Sequence, residues 1–200
     1  VLYNSGALAQ ARGTGIFATQ VQIAVPGAPR YLAIKDIDRD GDTDIISSDR
    51  TSATLSLIIN DPDRAGPEAG ASNPFRVQSL PIGTNPGSVG AFDFDNDNDI
   101  DLVAVTDADS RTTGKVIRVL RNDTPFNAVG GPLTFSQGPV IDFGTNPQYA
   151  LPGDVENDGD TDIIAFTDPP SATSQQATAF VNALCPTDLD GSGATDTKDL

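Results

Sequence analysis

Asp36-Ile37-Asp38-Arg39-Asp40-Gly41-Asp42-Thr43-Asp44-Ile45-Ile46 sets five aspartates into nine residues and then runs straight into isoleucine. Carboxylates this close repel one another and raise one another's pKa unless a positive partner sits among them. Only Lys35 and Arg39 are basic nearby. The stretch recurs twice, as DFDNDNDIDLV from Asp93 and DVENDGDTDII from Asp154, at offsets of 57 and 61 residues. Other landmarks keep the same step. Pro29, Pro86 and Pro147 each stand seven residues before the first acid of their stretch. Asn4, Asn60, Asn122 and Asn182 each close a strand-like run, and Phe17, Phe75 and Phe135 lie 11 or 12 residues before the prolines. Markers of four kinds moving together define a repeat array.

The runs between turn signals are short and rich in β-branched residues: YLAIKD, DIISSD, ATLSLIIN, DLVAVTD, KVIRVLRN, DIIAFTD and ATAFVNAL. No long 3.6-residue stripe interrupts them, so the chain reads as all-β. Each unit reads as strand, acidic loop, strand, turn, strand, long variable loop, strand. Four short strands in about 60 residues is the content of a propeller blade. A solenoid or a row of hairpins is the competing reading, and solenoid periods are usually shorter and more uniform. The expected architecture is a partial β-propeller of about three and a half four-stranded antiparallel blades. The end of one blade lies in 1–25, complete blades in 29–83 and 86–144, and a blade short of its fourth strand in 147–183. Closure needs about four to eight blades, so the chain is expected to be a fragment of a larger propeller.

Composition narrows the chemistry. The formal net charge of −16 argues against nucleic acid, which requires basic surface to displace counterions. Absence of His removes His-based acid–base catalysis and most zinc or copper sites. The single Cys185 forms no internal disulfide. No apolar run is long enough for a membrane span, and targeting is not legible.

Numbering each stretch from its first acid, acids fall at positions 1, 3, 5 and 9, with Gly41, Asn98 and Gly159 at position 6. Gly, and next to it Asn, tolerates the positive φ of a tight bend. A loop folded back there converges the carboxylates. Convergent hard oxygen donors, with a backbone carbonyl near position 7, suit Ca²⁺ better than Mg²⁺ or any softer metal. The competing reading is a solvated Asp-Gly turn without an ion.

These D-x-D-x-D-G-x-x-D loops, each followed by DII or DLV and preceded by a proline seven residues upstream, resemble FG-GAP/VCBS repeats, the blades of integrin-α-type and bacterial secreted propellers. The Phe-Gly signature is partial: Phe143-Gly144 is present, whereas Ile82-Gly83 and Pro26-Gly27 are degenerate. The resemblance covers about residues 1–183. It implies a β-propeller, usually seven-bladed, with Ca²⁺ between the first and second strands of blades and an extracellular role in binding or adhesion. By that pattern Asp36, Asp38, Asp40 and Asp44 are side-chain ligands of the first loop. Asp93, Asp95, Asp97 and Asp101 serve the second, and Asp154, Glu156, Asp158 and Asp162 the third. Asp42, Asp99 and Asp160 contribute backbone oxygens.

A different acidic loop closes the sequence. From Asp188, acids or hydroxyls fall at Asp190, Ser192, Asp196 and Asp199, with Gly193 at position 6. An acid at position 12 marks an EF-hand loop. Residues 185–200 therefore resemble the start of a dockerin module, which implies a fourth Ca²⁺ and a cohesin-type partner; a flexible acidic tail is the competing reading. The four loops together hold 19 of the 28 acidic residues, so four bound ions would bring the net charge to about −8.

Three functions follow for weighing. The first is a calcium-binding extracellular repeat protein acting as a non-catalytic binding, adhesion or scaffolding module, with a protein or glycan ligand. The second is an accessory region of a secreted carbohydrate-active enzyme held in an assembly through the dockerin-like segment. The third is a catalytic propeller. No constellation of Tyr, Lys, Arg and free carboxylates points to the third, and the first is the expected one.

Overall fold

The computed structural model describes residues 2–4, 17–61, 75–107, 114–125, 130–142, 146–155, 157, 161–168 and 176–180. Among them there are thirteen β-strands and no helix. Strands β1 (Leu2–Asn4) and β2 (Phe17–Gln20) pair antiparallel. Strands β3 (Pro29–Lys35), β4 (Asp44–Asp49), β5 (Thr54–Asn60) and β6 (Phe75–Pro81) form a four-stranded antiparallel meander in chain order. The same order recurs in β7 (Val89–Phe92), β8 (Asp101–Asp107), β9 (Lys115–Asn122) and β10 (Phe135–Ile141). A three-stranded sheet follows in β11 (Asn146–Gly153), β12 (Asp162–Asp168) and β13 (Gln176–Phe180). The architecture is an all-β, partial β-propeller-like stack of antiparallel blades.

The landmarks acquire physical roles. Phe75 and Phe135 open the outermost strands, each paired with the asparagine that closes the strand before it, Asn60 and Asn122. Each acidic stretch bridges the first and second strands of its sheet and leads into the second, whose residues are almost all buried in β4 and β8. That is why core-type residues follow the acids without a spacer.

Blades pack face to face, and strand alternation assigns the residues. Ile46, Leu55, Leu57 and Ile59 of the second sheet meet Val89, Leu102, Ala104 and Leu120 of the third. On the other face of that third sheet, Phe92, Val103, Val105, Ile117 and Val119 meet Ala150, Ile163 and Ala165. The first strands gather along one side of the stack, β3 against β7 and β7 against β11. Gly90 serves this approach, because a Cβ there would stand 3.4 Å from Pro152 Cδ. The two outward faces stay apolar and open: Leu32 and Ile34 are 63% and 65% exposed on β3, and Leu151 and Phe166 are exposed on β11 and β12.

A two-for-one bulge interrupts the pairing at the same place in two blades. Pro29 and Tyr31 pair with Asp49 and Ser48, leaving Arg30 extra; Pro147 and Tyr149 pair with Thr167 and Phe166, leaving Gln148 extra. In the middle blade the strand begins three residues after Pro86, with Gly87 and Ser88 still bonded to Val105.

Candidate metal centre

The acidic loops fold back as the spacing requires. Gly41 and Asn98 at position 6 have φ of 94° and 69°. A second left-handed residue, not legible from the glycine pattern, stands at position 4 of all three stretches: Arg39 (62°), Asn96 (58°) and Asn157 (60°). Asparagine at two of the three was the signal, since Asn tolerates this region better than most residues.

In the first loop, one carboxylate oxygen each from Asp36, Asp38 and Asp40 lies within 4.8 Å of the others. The backbone explains which oxygen is left over. Gly41 N–H donates to Asp36 Oδ2 at 3.0 Å, and Asp42 N–H donates to Asp40 Oδ1 at 2.8 Å. Asp38 Oδ2 accepts from Arg76 at 3.5 Å. Asp36 Oδ1 and Asp38 Oδ1 are buried with no hydrogen-bond partner, and the Asp38 side chain is only 6% exposed. Burial, then the Asp40 charge, raises the Asp38 pKa, partly offset by Arg76. A buried carboxylate oxygen with no donor carries a large desolvation cost unless a cation supplies the missing partner.

The second loop brings together Asp93, Asp95 and Asp101 by the same measure. Asp97 N–H and Asn98 N–H donate to the two Asp93 oxygens, Asp99 N–H donates to Asp97 Oδ1, and Arg121 binds Asp95 Oδ2. Asp95 Oδ1 is again buried and without a hydrogen-bond partner. Burial, offset by the Asp99 N–H and reinforced by the neighbouring carboxylates, raises Asp97.

The position-9 acids do something the spacing did not disclose. Asp44 is fully buried, and its two oxygens accept from Ile37 N–H at 2.8 Å and Asn60 N–H at 2.7 Å. Asp101 repeats this with Phe94 N–H and Asn122 N–H, both at 2.8 Å, and Asp162 accepts from Val155 N–H at 2.7 Å. Each carboxylate ties its loop's position 2 to the chain, and in the two complete blades it also reaches the end of the third strand. Desolvation outweighs these bonds and pushes Asp44 and Asp101 up to about 6.

Asp42 and Asp99 are not among the acids whose oxygens converge. Asp99 pairs with Arg39 of the preceding blade's loop, whose guanidinium also donates to Thr124 O at 3.0 Å. Asn122 Nδ2 donates to Ile37 O and Ile100 O at 3.2 and 3.1 Å, joining the two loops a second time. These linking residues were missed, although the recurring asparagine was visible. Of the third loop, Asp154 is exposed and Asp162 buried; Glu156, Asp158 and Asp160 lie outside the described residues. So do Asp188, Asp190, Ser192, Asp196 and Asp199, with the whole dockerin-like segment.

The donor set is hard oxygen throughout, with neither His nor Cys, so the two clusters could hold a metal ion of the oxygen-seeking class. A family model described as an FG-GAP-like repeat matches residues 36–104, from the first acidic loop through most of β8. That match supports an FG-GAP repeat over these residues. No curated protein matches the chain.

Proposed function

We propose that the chain is a calcium-stabilised, non-catalytic binding or adhesion module of extracellular proteins. The observation that carries the calcium reading is Asp38 Oδ1, buried beside two more carboxylates with no donor to satisfy it. Asp36, Asp38 and Asp40 would hold one ion and Asp93, Asp95 and Asp101 another. The ion supplies charge neutralisation and no redox or Lewis-acid chemistry is asked of it. Loops with solvent-facing acids such as Asp40 and Asp97 suit the weak affinities of extracellular calcium modules, about 10⁻⁴–10⁻³ M. The FG-GAP-like match supports a binding role. No helix among the described residues is long and apolar enough to cross a membrane. Attachment to an enzyme assembly through residues 185–200 rests on a segment outside the described residues.

Calorimetry with CaCl₂ on chelator-stripped protein, paired with thermal unfolding, tests this. Each independent site should add about 2.7 kcal/mol of stability at a free ion concentration of a hundred times Kd. An unchanged melting curve and no binding heat would remove the calcium reading.

A further inference from the structure

The basic residues are sorted by end of the stack. Where the acidic loops lie, Arg39, Arg76 and Arg121 each pair with an aspartate, while Lys35 closes β3 exposed. At the opposite end, where β3, β7 and β11 begin and the second strands turn into the third, no described basic side chain pairs with an acid. Arg30 lies over the Tyr31 ring at 5.2 Å, and Arg50 donates to Asn85 Oδ1 at 3.0 Å. Lys115 donates to Gln148 Oε1 at 2.9 Å, and Arg118 to Thr106 Oγ1 at 3.0 Å. Acids outnumber bases 28 to 12 in this chain, so an end where four cations all face neutral partners stands apart from the rest. Four described acids belong to this end, among them Asp142 directly after β10 and Asp168 closing β12. Asp107 accepts from Asn85 at 3.2 Å, and Asp49 is buried, accepting from Ser47 and Ser56.

The contacts form one continuous surface. Asn85 joins Arg50 to Asp107, Asp107 faces Lys115 across β8 and β9, and Lys115 reaches Gln148. Next to Gln148, Tyr149 meets Tyr31 edge to face at 5.6 Å. The middle blade has Gly87 and Ser88 where its neighbours carry Arg30-Tyr31 and Gln148-Tyr149, so the two rings meet across it. The bulges fall at Arg30 and Gln148 themselves. A bulge re-aims side chains and is favoured beside functional sites. Tyr149 keeps 44% of its surface exposed.

We propose that this end binds a short acidic saccharide, with Arg30 and Arg50 taking carboxylates and the Tyr31–Tyr149 pair taking a sugar face. A guanidinium fork matches a carboxylate in two parallel bonds. Exposed tyrosines offer rigid, amphipathic area at low entropic cost, and the Asn85 and Gln148 amides match a hydroxyl rim. The −16 background repels dense polyanions such as nucleic acid, which favours a ligand whose charges are sparse, one per disaccharide. The proposal rests on reading the chain as a binding module but not on its calcium loops, which lie at the other end.

The test is titration of calcium-saturated protein with a tetrasaccharide of alternating glucuronate and N-acetylglucosamine. Chitotetraose serves as the uncharged comparator and tetraglutamate as the acidic peptide. The expected result is saturable binding of the uronate oligomer alone, weakened by salt. It should fall about ten-fold in Arg30→Ala and in Tyr149→Ala, and hold in Lys35→Ala. Both test side chains are exposed, and melting curves of each variant report that the fold is intact. No binding of the uronate oligomer, equal binding of either comparator, or affinity unmoved by both substitutions overturns the proposal. Loss of the calcium-dependent melting shift in the parent protein would instead count against the metal reading and leave this titration standing.

Discussion

Arg39 holds a left-handed backbone at φ 62°, a conformation that costs a non-glycine residue of order 1 kcal/mol and persists only where surroundings enforce it. Its guanidinium supplies the enforcement by binding Asp99 and Thr124 O. Arg39→Asn relieves the backbone but strands Asp99, so a net loss of about 2 kcal/mol is expected, roughly 4–8 °C in Tm. Arg39→Asn with Asp99→Asn should recover part of it, and strictly additive effects would deny the link. Asp38 and Asp101 should differ in the metal-free protein. Asp38→Asn can keep its carbonyl oxygen on Arg76 and put its amide where the partnerless oxygen stood, so metal-free stability should hold while the calcium shift shrinks. Asp101→Asn turns an amide N–H donor toward a backbone N–H that needs an acceptor, costing about 1–3 kcal/mol even in the metal-free protein. Thermal unfolding in calcium and in chelator separates the two. Asp44 and Asp101 also set a pH response. Their folded values of about 6 lie above the ordinary 3.8, so the folded state holds protons that the unfolded chain has released. Metal-free protein should therefore lose stability as pH climbs from about 4 to about 6. A rise over that range in chelator would contradict the burial that causes the shift.

At the level of strands and loops, the repeat was readable because chain punctuation is local. Proline, the acid run, asparagine and phenylalanine mark ends of elements, and β4, β5, β8, β9 and β12 fall where β-branched runs predicted them. What each landmark does was not readable, because it depends on partners far along the chain. Asn122 bonds Ile37 O, 85 residues away. Arginine reaches the position-3 aspartate from different strands in the two complete blades. In one it is Arg76 on β6, opposite Ile59; in the other it is Arg121 on β9, opposite Ser136. A column-by-column comparison of the repeats hides this, since the guanidinium is kept while the residue carrying it moves across the strand pair. The bulges at Arg30 and Gln148 are equally silent in sequence, being differences of pairing and not of composition.

At the scale of the whole molecule, stability resides between blades. Leu57 is fully buried between the second and third sheets, so Leu57→Ala should cost about 2–5 kcal/mol, whereas Leu32→Ala on the open outward face should cost little. Equal losses, measured by denaturant unfolding, would mean the outward face is covered in solution. The molecule is also polar end to end, with paired arginines among carboxylates at one end and unpaired cations beside tyrosines at the other. Sequence alone determined the all-β class, the roughly sixty-residue unit and the place of the acidic loops, since strand alternation, turn residues and crowded carboxylates act over a few neighbours. Only the tertiary structure decided which oxygens are spent on the backbone and which remain for an ion, and which cations keep neutral company. Those outcomes depend on burial and on contacts between blades, and neither is encoded within any single repeat.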